Sequence, residues 1–130
     1  MKLLVVIDFQ NDFVNGSLGF KGAEILDNRI AYKIRKYHEN KDQVIFTLDT
    51  HYTGYMETFE GKKLSVEHCI KNTEGHKLYG KTALEAKNCD LRFEKIHFPL
   101  LILPIIFREN PLKAWSWWDL YQIYVCFPMP

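Results

Sequence analysis

Five apolar residues in a row, Leu3-Leu4-Val5-Val6-Ile7, stop abruptly at Asp8. An uninterrupted, Val-containing run of this length suits a strand buried on both faces, as in parallel sheets. Ala23, Leu26, Ile30, Ile34 and Tyr37 then recur at helical spacing. They predict a helix of about four turns ending near His38-Glu39-Asn40. Val44-Ile45-Phe46-Thr47 reads as a second buried strand. Strand, helix, strand in this order implies a right-handed crossover and a parallel pair, so the fold class expected is α/β. Asp8, Asp49 and His51 lie just past the two strand ends, at the edge where open α/β sheets bind ligands.

The remaining chain is less patterned. Asn15-Gly16-Ser17-Leu18-Gly19 is a loop signal, and residues 50–80 read as a long loop with little periodicity. Thr82 to Lys87 suits a short helix, Asn88-Cys89-Asp90 a turn, and Leu91 to Ile96 a third strand. After Ile96 the character changes: Phe98 to Phe107 lacks polar alternation, and Trp115, Trp117 and Trp118 crowd together. No final element to close the sheet is expected there. A length of 130 residues fits one domain. The net charge of +1 argues against nucleic acid as a partner. The apolar runs at Met1–Ile7 and Phe98–Phe107 are too short for a signal peptide or a membrane span. Three cysteines, Cys69, Cys89 and Cys126, form no obvious disulfide framework, which points to reduced thiols and a cytoplasmic location.

Three constellations can carry chemistry. Asp8 is placed to act as a general base if a neighbour tunes it; a capping or loop acid is an equally good reading. Asp12 is expected to make local turn hydrogen bonds. Asp49-Thr50-His51 puts two ligands on one side of the chain, and His68 can fold back from the long loop. Imidazole plus carboxylate suits zinc, iron or manganese, with Glu60 offering a further oxygen, although acid-x-His pairs also arise by chance. Cys69 lies beside His68, but neighbours on an extended chain point oppositely, so a packed structural thiol fits it better than a nucleophile.

Taken together, Leu4-Val5-Val6-Ile7-Asp8-Phe9-Gln10-Asn11-Asp12-Phe13, Gly16-Ser17-Leu18-Gly19, Thr47-Leu48-Asp49-Thr50-His51 and Glu67-His68-Cys69-Ile70-Lys71-Asn72-Thr73-Glu74-Gly75 resemble the isochorismatase-like cysteine hydrolases, and most of all the nicotinamidase branch. The resemblance runs from Lys2 to about Ile96. It implies a three-layer α/β/α sandwich around a Rossmann-like sheet, incomplete here at the C-terminus. It implies an amidohydrolase of NAD salvage that converts nicotinamide to nicotinate and ammonia through a cysteine thioester. Asp8 would then take the thiol proton, and Lys95 would stabilise the thiolate, a solvated edge lysine being the plain alternative. Asp49, His51 and His68 would hold a divalent metal, zinc first with iron or manganese as alternatives, and Glu60 would be a fourth ligand. Phe13 would line the substrate pocket. The expected partner is a small-molecule amide, without membrane or nucleic acid, and self-association into a homo-oligomer is left open. Two other readings stand beside this one: a different hydrolase of the family, and a metal-binding remnant without catalysis. A flavodoxin-like binding domain accounts for Asp8 but not for the pattern from Asp49 to Gly75.

The family's nucleophilic cysteine follows a run like Glu-Leu-Val-Gly, and no such motif occurs here. Cys126, in Tyr124-Val125-Cys126-Phe127-Pro128, has no helix signal after it to supply amides for an oxyanion. A shifted reading frame would account for the departure, the plain alternative being that degenerate codons permit many readings. Starting at the third base of each codon, Trp115-Ser116-Trp117-Trp118-Asp119 reads Glu-Leu-Val-Gly when Ser116 uses an AG-type codon, and Val-Gly is forced by any codons. On that hypothesis residues 1–96 are the hydrolase domain and 97–130 an out-of-frame tail, and the chain as written is expected to be inactive. An open sheet edge predicts poor solubility. Sequencing the DNA across codons 96–130 checks the frame, and a cooperative, monomeric thermal unfolding transition would count against the solubility expectation.

Overall fold

The computed structural model describes residues 2–95 and 120–125. The apolar run at the head of the chain forms β1 (Leu3–Ile7), buried at every position. β2 (Gln43–Asp49) pairs with it in parallel, from Leu3 opposite Gln43 to Ile7 opposite Thr47. β3 (Leu91–Lys95) lies beyond β2, also parallel, with Asp49 opposite Lys95. β4 (Leu120–Val125) lies on the other side of β1, giving the order β3-β2-β1-β4. The chain is therefore α/β with a parallel sheet, as its strand–helix–strand pattern predicts.

A short helix, α1 (Asn11–Val14), follows β1, and α2 (Ile25–Glu39) makes the crossover to β2. On α2, Ile30, Ala31, Ile34 and Tyr37 are buried. Ile30, Ile34 and Tyr37 join Leu4, Val6, Val44 and Phe46 of the sheet in one core, with Phe9, Phe13 and Cys69. Leu3, Val5, Ile7 and Ile45 point to the opposite face, with Phe93 packed against them. This alternation is the pleat of a strand covered on both sides. Ala23 belongs to the core but precedes the helix, because Gly22 at φ +92 opens a tight turn there. Turn bonds to the residue three positions back, made by the amides of Ala23, Ile25, Leu26 and Asp27, lead into the first turn of α2.

The stretch read as a featureless loop has local order. A 3-10 turn at Tyr55–Glu57 leads into α3 (Phe59–Lys63), whose Gly61 amide donates to the Thr58 hydroxyl, and a second 3-10 turn covers Glu74–His76. These elements are too short to show periodicity. α4 (Gly80–Glu85) begins two residues before the expected helix, and its position depends on Asp27 of α2. The buried Asp27 carboxylate accepts from Lys81 N at 2.9 Å, from Thr82 N at 2.8 Å and from the Thr82 hydroxyl at 2.8 Å. A cap supplied from another helix leaves no local sequence signal. Gly80 lies at φ +50, where a side chain would also run into this carboxylate.

The tail differs from expectation, because β4 provides an element where none is foreseen. Leu120-Tyr121-Gln122-Ile123-Tyr124-Val125 is rich in residues that favour strands, and β1 offers an open row of peptide groups on that side. The β1 edge is therefore paired. Phe98–Phe107, Trp115, Trp117, Trp118 and Cys126 lie outside the described residues. No helix among the described residues is long and apolar enough to cross a membrane. Replacing the inter-helix cap by Asp27→Ala should cost about 2 kcal/mol, since three donors lose their acceptor, and Asp27→Asn should cost less. Urea unfolding of the three proteins checks this.

Candidate metal centre

Because β1 and β2 are parallel, their C-terminal ends share one edge. Asp8 follows β1 there with a left-handed backbone (φ 54), a conformation that Asp tolerates better than most residues. Its carboxylate is 1% exposed and accepts a hydrogen bond from the Thr47 hydroxyl at 2.8 Å. Asp8 N also donates to Thr47 O at 3.1 Å, carrying the ladder one step past the strand. Lys95 stands at the same edge, in register with Asp49.

The chain after β2 carries Asp49 and His51 outward, and the loop holding His68 is zipped to it by backbone. His51 N donates to Cys69 O at 3.0 Å, and Lys71 N to His51 O at 2.8 Å. His51 Nε2 lies 3.1 Å from Asp49 Oδ2, and His68 Nε2 lies 3.3 Å from the same oxygen. Among the described residues, Asp49, His51 and His68 have ligand atoms that all lie within 4.8 Å of one another. The His68 Nδ1–H donates to Val66 O at 2.7 Å, since a carbonyl can only accept. In the neutral ring this leaves Nε2 as a lone pair facing a carboxylate, a meeting of acceptors that a cation relieves. Burial works against charging His68, but hydrogen bonds to Asp49 and Val66 and the charges of Asp49 and Asp12 outweigh it and hold its pKa above the ordinary imidazole value. Glu60 stands on the other side of His51: its Oε2 is 3.8 Å from Nδ1, too far for a hydrogen bond.

Aromatic rings wall the trio. The Phe13 ring, 5% exposed, lies 5.6 Å from that of His68. Tyr55, 2% exposed, packs its ring 4.6 Å from His51 and 5.1 Å from His68, and its hydroxyl donates to Leu64 O. Burial, then the charges of Glu60 and Asp49, push the Tyr55 phenol up from its usual value. Sequence reasoning does not single out Tyr55, because it sits in an unpatterned stretch. It likewise gives no role to Gln10 or His76, both buried against the exit of β2. Gln10 bonds to the Asp49 backbone, and His76 Nε2–H donates to the Thr50 hydroxyl at 2.9 Å, which in turn donates to Leu48 O. The Asp12 backbone carbonyl accepts locally from Leu18 N at 2.9 Å, but its carboxylate reaches Ser17 N only at 3.5 Å, and the close partner of the carboxylate is Cys69 N at 2.7 Å, far along the chain. Cys69 itself is fully buried in the core.

An isochorismatase-domain family model matches residues 2–101. Over 86 residues, 62% of the chain, the sequence is 37% identical to the uncharacterized isochorismatase family protein PncA of Bacillus subtilis (strain 168), and the match spans only 45% of that relative's length. Among solved structures it is similar to the pyrazinamidase/nicotinamidase of Streptococcus mutans UA159, with TM-score 0.69 and 32% identity over 85% of this chain and 66% of that one. The nicotinamidase/pyrazinamidase PncA of Bacillus subtilis follows at TM-score 0.68 and 28% identity, covering 85% and 67% of the two chains. The pyrazinamidase of Pyrococcus horikoshii, solved in complex with zinc, shares the fold at TM-score 0.65 and 20% identity, over 84% of this chain and 64% of that one.

The buried His76 gives the site a pH dependence of known sign. Burial pushes its pKa below the ordinary value, so the unfolded chain takes up a proton that the folded one refuses. Its contribution to stability is present above about pH 6.5 and is lost as the pH falls through the lowered folded value. Urea midpoints measured from pH 8 down to about pH 5 should fall less for His76→Gln, which keeps a donor for Thr50 but does not titrate.

Proposed function

The chain belongs to the isochorismatase family, and on that premise we propose that its sheet edge is the metal-and-base half of a nicotinamidase-like amidohydrolase site. The observation that carries this reading is the convergence of His51 Nε2 and His68 Nε2 on one oxygen of Asp49, at 3.1 and 3.3 Å. Two imidazoles and a carboxylate suit zinc, iron or manganese. A divalent ion held there would supply a Lewis acid able to anchor a ring nitrogen of the substrate. The pyrazinamidase of Pyrococcus horikoshii, which shares the fold, was solved in complex with zinc.

The other roles follow from position. Phe13, beside His68, forms an apolar wall suited to a flat heteroaromatic ring. Asp8 is the base that takes a proton from the nucleophile; the Thr47 hydroxyl on one of its oxygens orients it. Lys95 at the end of β3 is the cation that stabilises a thiolate. Glu60 acts on the far side of His51, as an acid that steadies the ring or as a further ligand once the ring turns. The nucleophile is not assigned within this chain. Cys69 is packed in the core, and no residue run matches the family's cysteine motif, so hydrolysis is assigned to the protein with its reading frame restored after Ile96.

Two experiments test the two halves of the proposal. Zinc titration should show one tight site, weakened in His68→Ala by more than the roughly 100-fold typical of outer-shell changes. Absence of a single site, or equal binding by His68→Ala, overturns the metal reading. The frame-restored protein should release ammonia from nicotinamide, and Asp8→Ala should lower kcat by about 10²- to 10⁴-fold. No ammonia from nicotinamide, with the metal bound, overturns the substrate.

A further inference from the structure

β1 pairs with β2 only as far as Ile7 opposite Thr47, and its chain then turns away at Asp8. β2 runs two residues further, to Asp49. Among the described residues, no strand meets the peptide groups of Asp49 on the β1 side. Gln10 fills the gap with its side chain. Its Oε1 accepts from Asp49 N at 2.8 Å and its Nε2 donates to Asp49 O at 3.0 Å, as a neighbouring peptide would. The second Nε2 hydrogen goes to His76 O at 2.7 Å. Gln10 is 0% exposed, so water cannot replace these bonds cheaply.

Two residues on, Asp12 performs the matching task for His68. Cys69 is held in the left-handed region at φ 49, which costs energy for a residue with a side chain. Its amide donates to Asp12 Oδ2 at 2.7 Å and its carbonyl accepts from His51 N at 3.0 Å, so the residue next to His68 is held through both of its flanking peptides. The Asp12 carboxylate lies directly against Gly75, where an added Cβ would overlap it.

We propose that Gln10 and Asp12 are positioning residues that preset Asp49 and His68 for a divalent cation, Gln10 by extending the β2 ladder and Asp12 by holding the Cys69 turn. The inference rests on the metal reading above and adds to it the devices that set the geometry before the ion arrives. Neither residue belongs to the trio that would hold the ion. A merely structural role would move stability but not the coordination geometry of the bound ion.

The test measures zinc affinity by calorimetry and the visible absorption of the cobalt(II)-substituted full chain, with urea unfolding of the metal-free proteins alongside. Asp12→Ala and Gln10→Met should each weaken zinc by about 10- to 100-fold and alter the cobalt spectrum, whereas Asp12→Asn, which keeps an acceptor for Cys69 N, should stay within about threefold of the parent. Gly75→Ala should imitate Asp12→Ala, because it displaces the same carboxylate from 63 positions away. If Asp12→Ala fails to fold, Gly75→Ala carries the test. Folded variants with the parent's affinity and spectrum overturn this inference alone. A parent chain that binds no zinc overturns the metal reading and this inference with it.

Discussion

The mismatch in length between two paired strands governs the candidate site. β1 stops at Ile7 and bends through a left-handed Asp8, while β2 continues to Asp49. The step produced at the sheet edge is where the side chains with chemistry gather. It is lined by the segment after β1 and closed by the loop carrying His68, which follows His51 through backbone bonds at Cys69 and Lys71. Parallel pairing makes the step possible, because only a crossover brings two C-terminal strand ends to the same side.

Electrostatics explains why such a step is more than a notch. Asp49 Oδ2 faces a nitrogen of each of two histidines. Val66 O takes the Nδ1 proton of His68, and the aromatic rings of Phe13 and Tyr55 pack beside its imidazole. In such surroundings charges interact strongly, and an uncompensated group is costly. A partly buried carboxylate between two buried imidazoles therefore calls for a positive charge, which a proton or a metal ion supplies. The Asp12 carboxylate adds to the same negative field while holding the Cys69 amide.

Much of this was legible in the residues alone, and what was not shares a physical character. The first three strands and the long helix follow from apolar runs and periodicity, and the trio Asp49, His51 and His68 from ligand types past a strand end and in the loop that folds back to it. Gln10 and Asp12 were visible as letters of a motif but not as parts with a task, because their partners lie 39 and 57 positions away. The same holds for Asp27, whose carboxylate caps a helix 54 positions on. Tyr55 lies in a stretch where short turns leave no repeating pattern. β4 was missed because the composition around it is abnormal, although Leu120–Val125 by itself favours a strand.

The sequence by itself determined the α/β class, the opening strand–helix–strand order and the side-chain types available for chemistry, since apolar periodicity and side-chain type are local properties written along the chain. Tertiary structure decided which oxygen faces which nitrogen, that Glu60 stands behind His51, and that a glutamine amide replaces a missing strand beside Asp49. Those outcomes depend on distances of a few ångströms between segments far apart in the chain. Such distances are set only when the core closes and every buried donor has found its acceptor.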